Sequence, residues 1–220
     1  MPDYRRYYVK GGTYFFTVVS YRRHCLFYEE SAINLLQHCF ESVIAIYPFK
    51  VDAIVILPDH LHTMWTLPDN DSNFSVRWKT IKASFSRLYQ DDNTESLPES
   101  LIKKKEKGIW QRRFWEHLIR DQEDFNRHCD YIHYNPVKHG LVKSPAEWKH
   151  SSFSKFVEQG FYNHDWGKSA GRELSGALAV GMHPVLIHDP GESVDAHYID
   201  REDDWKGPRI SSLREVLNLI

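Results

Sequence analysis

An α+β fold, an antiparallel sheet with helices packed on it, is what the sequence predicts, and three patterns predict it. Strand-type and helix-type runs follow one another as β-α-β-β-α-β-α up to about residue 168. The two middle strands are joined by a Pro-Asp link that is too short for a parallel crossover. Both long helical runs carry one apolar stripe and one polar face, as helices lying on a sheet do. The first six elements have the order of the ferredoxin-like split βαβ motif.

Lys10-Gly11-Gly12 reads as a turn into residues 13–19, a run of Tyr, Phe, Thr and Val that favours a strand. Apolar residues at 32, 33, 35, 36, 39, 40, 43, 44 and 46 have helical spacing, and Pro48 ends that helix. Residues 51–57 and 60–67 form the expected hairpin, stopped by Pro68. Asn73 caps a helix whose stripe is Phe74, Trp78, Ile81, Phe85 and Leu88, with Arg77, Lys79, Lys82 and Arg87 off the stripe. Residues 91–108 are polar and read as a mobile loop, and residues 110–119 as a further strand. Asp121 caps the next helix, which is expected to stop at Asn135, before Pro136.

The chain has 220 residues with a hydrophobic fraction of 41%, enough for a sizeable core. The three cysteines, Cys25, Cys39 and Cys129, are odd in number and widely spaced, so neither a disulfide framework nor a thiolate zinc site is expected. With no apolar leader or membrane-length run, a soluble cytoplasmic protein is the expectation. The net charge of −2 hides a gradient: residues 1–28 carry +4, residues 73–155 carry +5 and residues 169–220 carry −4. This fits a polyanion-binding body, residues 1–168, with an acidic extension, residues 169–220, whose role is unassigned; residues 213–220 there look helical.

Two clusters can carry chemistry. In Pro58-Asp59-His60-Leu61-His62 the histidines are two apart, so on a strand both imidazoles project from one face and offer two metal ligands. With thirteen histidines in the chain, a structural pair is the plain alternative. The helix 121–135 carries Tyr131 and Asn135 one turn apart on a shared face. A helical phenol can attack a phosphodiester, and the Asn135 amide oxygen could reach an ion held by His60 and His62. Tyr134 is a competing nucleophile, and His133 and His117 are candidate bases. No P-loop or dinucleotide glycine motif supports a nucleotide-dependent enzyme.

Taken in order, Arg5-Arg6-Tyr7-Tyr8 before Gly11-Gly12-Thr13, Leu57-Pro58-Asp59-His60-Leu61-His62, Trp110-Gln111-Arg112-Arg113-Phe114-Trp115-Glu116-His117, Asp130-Tyr131-Ile132-His133-Tyr134-Asn135-Pro136-Val137-Lys138-His139-Gly140 and Trp148-Lys149-His150-Ser151-Ser152-Phe153 resemble the tyrosine transposases associated with repetitive extragenic palindromes (REPs). These are single-tyrosine relatives of the IS200/IS605 transposases, with a nuclease fold of His-hydrophobic-His (HUH) type. The likeness spans roughly residues 4–168. It implies that Tyr131 is the nucleophile, that His60 and His62, with Asn135, hold a divalent metal such as Mg²⁺ or Mn²⁺, and that a 5′-phosphotyrosine forms on single-stranded or hairpin DNA. It further implies Arg5, Arg6 and Tyr7 near a guide tetranucleotide, and Arg77, Lys79, Lys82, Arg112 and Arg113 on phosphates or the hairpin stem. The rival reading is a non-catalytic, nucleic-acid-binding ferredoxin-like module. Whether the protein acts as a monomer or a dimer is left open.

Overall fold

In the computed structural model the described residues are 6–90, 99–103, 107–167, 186–187 and 209–210. Arg5, the expected helix at 213–220 and most of the acidic extension lie outside them. Four strands form one sheet: β1 (Thr13–Val19), β2 (Lys50–Ile56), β3 (His60–Thr66) and β4 (Trp115–Leu118), in the order β2-β3-β1-β4. Every neighbouring pair is antiparallel. Strand β3 lies between β2 and β1, and β1 between β3 and β4, which is the split βαβ arrangement expected from the element order. Two short strands, β5 (Leu186–Ile187) and β6 (Arg209–Ile210), pair in parallel by themselves.

Alternation along the strands separates two layers. Tyr14, Phe16, Val18, Leu61 and Trp65 face helices α1 (Glu30–Ile46) and α2 (Phe74–Leu88) in an aromatic core. Trp65 lies between Trp78, at 4.3 Å between ring centroids, and Phe49, at 4.2 Å. Phe15, Ala53, Val55 and Met64 face the other way, onto Cys129 and Ile132 of α4 (Gln122–Lys138) and Phe156 of α5 (Phe153–Glu158). Asn73 caps α2 by accepting from the Val76 N–H at 3.1 Å, and Asp121 caps α4 by accepting from Asp124 N–H at 2.8 Å.

Three local expectations are corrected. The fourth strand is shorter than 110–119, because Trp110 leaves the sheet to bridge Ser20 and bury its ring against Phe85. A short helix, α3 (Glu99–Ile102), lies within the segment read as a loop. Helix α4 does not stop at Asn135 but runs through Pro136 to Lys138. A proline costs the bond that its missing N–H would have made. Here it stands in the last turn, and His139 N–H still reaches Asn135 O at 3.0 Å.

The chain after α4 ties that helix to the sheet. Ser152 Oγ accepts from Ile54 N–H at 2.9 Å, Trp148 Nε1 donates to Ile56 O at 2.9 Å, and Ser151 bridges Val55. This covers the exposed edge of β2. His133 on α4 meets the same Ser152 Oγ at 2.8 Å, while Tyr162 OH donates to Asp130 Oδ1 at 2.7 Å. All three cysteines are free. Among the described residues no helix is long and apolar enough to cross a membrane.

Candidate active site and nucleic-acid interface

The site is built on the sheet face covered by α4. The two-residue period of β3 turns His60 and His62 to that face, with ring centroids 4.9 Å apart and planes nearly perpendicular. Each ring is held through Nδ1. His60 Nδ1 lies 2.6 Å from Asp59 Oδ1. Burial would raise the Asp59 carboxyl, but the hydrogen bond from His60 and the Arg23 guanidinium hold it down at about 2, so it is an acceptor only. His60 therefore donates from Nδ1, which turns its Nε2 toward the site. His62 Nδ1 is occupied by Thr17 Oγ1 at 2.9 Å, which leaves its Nε2 facing the site as well. Burial and the neighbouring positive groups push His62 well below the ordinary imidazole range, so it is a neutral donor.

Helix α4 brings the second half. The Tyr131 ring stands 5.1 Å from that of His62, edge-on, and Tyr131 is 41% exposed. Residues 131, 135 and 139 follow at four-residue steps on one face. His139, at the end of that stripe, is 5.2 Å from His60 between ring centroids. Between them Asn135 is fully buried, and neither Oδ1 nor Nδ2 has a hydrogen-bond partner among the described residues. A buried primary amide left unpaired is costly. Its place on the face that carries Tyr131 and His139 to the imidazoles is where a cation would use its oxygen. The donors fit a divalent ion: imidazole nitrogens and an amide oxygen, with the Tyr131 phenol alongside.

Comparison with known proteins gives the family of the chain. The sequence pattern of the family described as "Transposase IS200 like" matches residues 8–135. The chain belongs to the IS200-like transposase family.

Within that family, an Escherichia coli protein named REP-associated tyrosine transposase is 43% identical over 167 residues, covering 76% of this chain and 91% of its own length. A Haemophilus influenzae protein provisionally given the same name is 43% identical over 178 residues, 81% of this chain and 100% of its own length. The solved structure of a REP-associated tyrosine transposase bound to a REP hairpin matches with a TM-score of 0.64 and 41% identity, over 80% of this chain and 97% of that one. Family membership makes this chain a transposase-type enzyme with a DNA-binding surface.

For this transposase the described residues among the expected DNA contacts fall into three groups. Arg77 is not one of the surface cations: it is 1% exposed, and its guanidinium donates to Pro48 O at 2.6 Å and Asn73 O at 2.9 Å and pairs with Asp71 at 2.8 Å. It fastens the start of α2. Arg6, Lys79, Lys82 and Arg112, joined by Arg87 and Lys107, line an open groove of about 810 Å³ between α2 and the 107–114 segment, with no acidic side chain in its lining. Arg6 lies 4.1 Å over the Phe114 ring and donates to Ser75 Oγ at 2.8 Å, and Lys82 donates to Gln111 O. Tyr7 and Arg113 are exposed.

The other candidates from the sequence are occupied elsewhere. Tyr134 turns from the imidazoles toward Trp166, 6.4 Å away. His133 is fully buried, and its burial holds it down to about 3. His117 meets Asp124 Oδ2 at 2.8 Å, and with His128 these form a second group whose donor atoms lie within 4.8 Å of one another. That group is joined by its own hydrogen bonds and ties β4 to the first turn of α4. The residues missed in the sequence are His139 and Lys138, whose Nζ is 5.5 Å over the Tyr131 ring. The four-residue repeat of Tyr131, Asn135 and His139 was the available signal, and the expected stop at Pro136 hid it.

Proposed function

We propose that this transposase cleaves and rejoins single-stranded DNA flanking REP-type hairpins, through a covalent 5′-phosphotyrosine on Tyr131. The reading rests on one observation above all: the Tyr131 ring is 5.1 Å from His62, within the same cluster as His60 and His139. A binding module has no use for a half-exposed phenol beside two imidazoles that Asp59 and Thr17 hold by their Nδ1 atoms. The hairpin partner is carried over from the solved relative, which is bound to a REP hairpin.

His60, His62, His139 and the Asn135 oxygen would hold a divalent ion. When bound, it supplies charge neutralisation and polarisation of the phosphodiester. Nitrogen donors in this number suit Mn²⁺ better than Mg²⁺, which prefers an all-oxygen shell. The chain's own groups do the rest. The Tyr131 oxygen attacks phosphorus in line; the new O–P bond forms as the bond to the 3′ oxygen breaks. The phenol gives up its proton, and the departing 3′ oxygen takes one up. Lys138, over the Tyr131 ring, places a positive charge where the anionic phosphotyrosine then lies. Because the phosphodiester energy is kept in the covalent link, a second 3′-hydroxyl reverses the step and joins a new strand without a nucleotide cofactor. The cationic groove holds phosphates of the stem, and Tyr7 and Arg113 lie exposed for the single-stranded flank.

The test is a labelled REP hairpin oligonucleotide with single-stranded flanks, incubated with the protein and Mn²⁺. A denaturation-resistant adduct is expected with the parent protein and none with Tyr131→Phe. An adduct that persists in Tyr131→Phe and vanishes in Tyr134→Phe would move the nucleophile, and no adduct with any protein would leave only a binding fold.

A further inference from the structure

The cationic groove and the Tyr131 cluster lie on opposite faces of the sheet: α2 lines the first and α4 carries the second. A strand bound to both must pass over an edge of the sheet. The β2 edge is covered by the 148–152 segment. The β4 edge, next to Arg112 and Arg113, is the side that the groove approaches.

On that edge Trp115 is 50% exposed. It belongs to the face of the active site, since it sits opposite Thr17 on β1, and Thr17 sits opposite His62 on β3. Two inter-strand steps separate Trp115 from His62, or roughly 10 Å along the sheet. The Trp115 ring meets Phe15 edge-on at 5.6 Å, and Phe15 meets Tyr131 edge-on at 5.8 Å. Phe15 is buried and is the shared floor beneath two exposed aromatic rings. Behind Trp115 the ring of His117 lies nearly parallel at 5.9 Å and fixes its tilt.

We infer that Trp115 is a nucleobase-binding platform, on which a base of the single-stranded flank next to the scissile phosphate stacks as the strand crosses the β4 edge. This rests on the proposed DNA-cleaving reading and adds a positioning contact to it. The stack registers the phosphate against Tyr131 and accepts any base, because every base has a π face. Sequence choice then falls to other contacts.

The experiment uses the full-length protein carrying Tyr131→Phe, so that binding is read without chemistry. The probe is a REP hairpin oligonucleotide with single-stranded flanks, intact or with one abasic site moved along the flank. Trp115→Ala is expected to weaken binding of the intact probe about ten-fold, and Trp115→Phe, which keeps a ring and controls for folding, much less. One abasic position beside the cleavage site should cost the Trp115 protein the same factor and cost Trp115→Ala nothing further. Unchanged affinity in Trp115→Ala, or abasic penalties that are equal in both proteins at every position, would overturn the platform. The chemistry is scored separately with Tyr131 restored: an adduct without any Trp115 effect removes the platform alone, while a Trp115-dependent abasic site without an adduct removes the nuclease reading and keeps the stack.

Discussion

Asn135 offers the sharpest check on the proposed ion site, because its amide is a burden without the ion and an asset with it. Both polar atoms are buried and unpartnered among the described residues. An unpaired buried polar group costs about 1–3 kcal/mol, so the pair stands to cost roughly 2–6 kcal/mol in the metal-free protein. Leucine has the same branched shape, four side-chain heavy atoms and no polar group to desolvate. Allowing about 1 kcal/mol for imperfect fit, Asn135→Leu should stabilise the metal-free protein by about 2 kcal/mol, a rise in Tm of roughly 4–8 °C for a domain of this size. With Mn²⁺ the order should change. An ion at a hundred times its Kd stabilises the parent by about 2.7 kcal/mol, and the variant, short of one ligand, should gain clearly less at the same concentration. Thermal melts in EDTA and across a Mn²⁺ titration read both numbers. Asn135→Leu melting below the parent in EDTA and gaining as much from Mn²⁺ would mean that the amide is satisfied by water and takes no part in holding the ion.

Four further variants test other contacts. His139→Ala should lower the Mn²⁺-induced rise in Tm and slow adduct formation at limiting Mn²⁺; equal Mn²⁺ titrations for variant and parent would take His139 out of the ligand set. Arg77→Met should cost about 3 kcal/mol of stability, by leaving Pro48 O, Asn73 O and Asp71 unpaired, while the salt dependence of DNA binding stays as in the parent. The same variant should lose part of its acid sensitivity: the Asn73 N–H first and then Arg77 hold the Asp71 carboxyl below its ordinary value, so its contribution is present above about pH 3.9 and is lost as the pH falls through the lowered value. Lys79→Ala with Lys82→Ala should flatten the slope of log affinity against log salt by roughly 2, as measured by binding titrations at several salt concentrations. Asp124→Ala should lower stability by about 2 kcal/mol in chemical denaturation, since its carboxylate accepts from His117 and from the Arg120 N–H.

Much of the fold was legible because its signals are local. Asn73 and Asp121 announce helix starts, Pro58-Asp59 announces a hairpin, and the apolar spacing of α1 and α2 carries into the core except at Ile46 and Leu88, which end the two stripes exposed. The split βαβ order followed from counting elements. What stayed hidden depends on distant partners. Arg77 looked like a surface cation beside Lys79 and Lys82, because nothing local says that Pro48 O, twenty-nine residues away, waits beneath it. Pro136 looked like a stop because the proline penalty is local, whereas the packing that carries α4 one turn further is not. That turn mattered most, since it delivers Lys138 and His139 to the site.

The site in turn depends on a core that it never touches. A slip of one residue in the pairing of β3 would send His60 and His62 into the aromatic layer and bring Leu61 and Trp65 out onto the α4 face. What forbids the slip is Trp65, buried between Trp78 and Phe49 and donating from Nε1 to Thr63 Oγ1 at 2.9 Å. Moving that ring out would cost about 2–3 kcal/mol in burial alone, before the loss of its stacking and hydrogen bond, and would leave two polar imidazoles among aromatic side chains. The register that makes the inner face dry is therefore the register that makes the outer face chemical. A substitution such as Trp65→Ala should cost the ion site its geometry even though no atom of Trp65 faces it, and adduct yield should fall with Mn²⁺ affinity rather than with affinity for the hairpin stem.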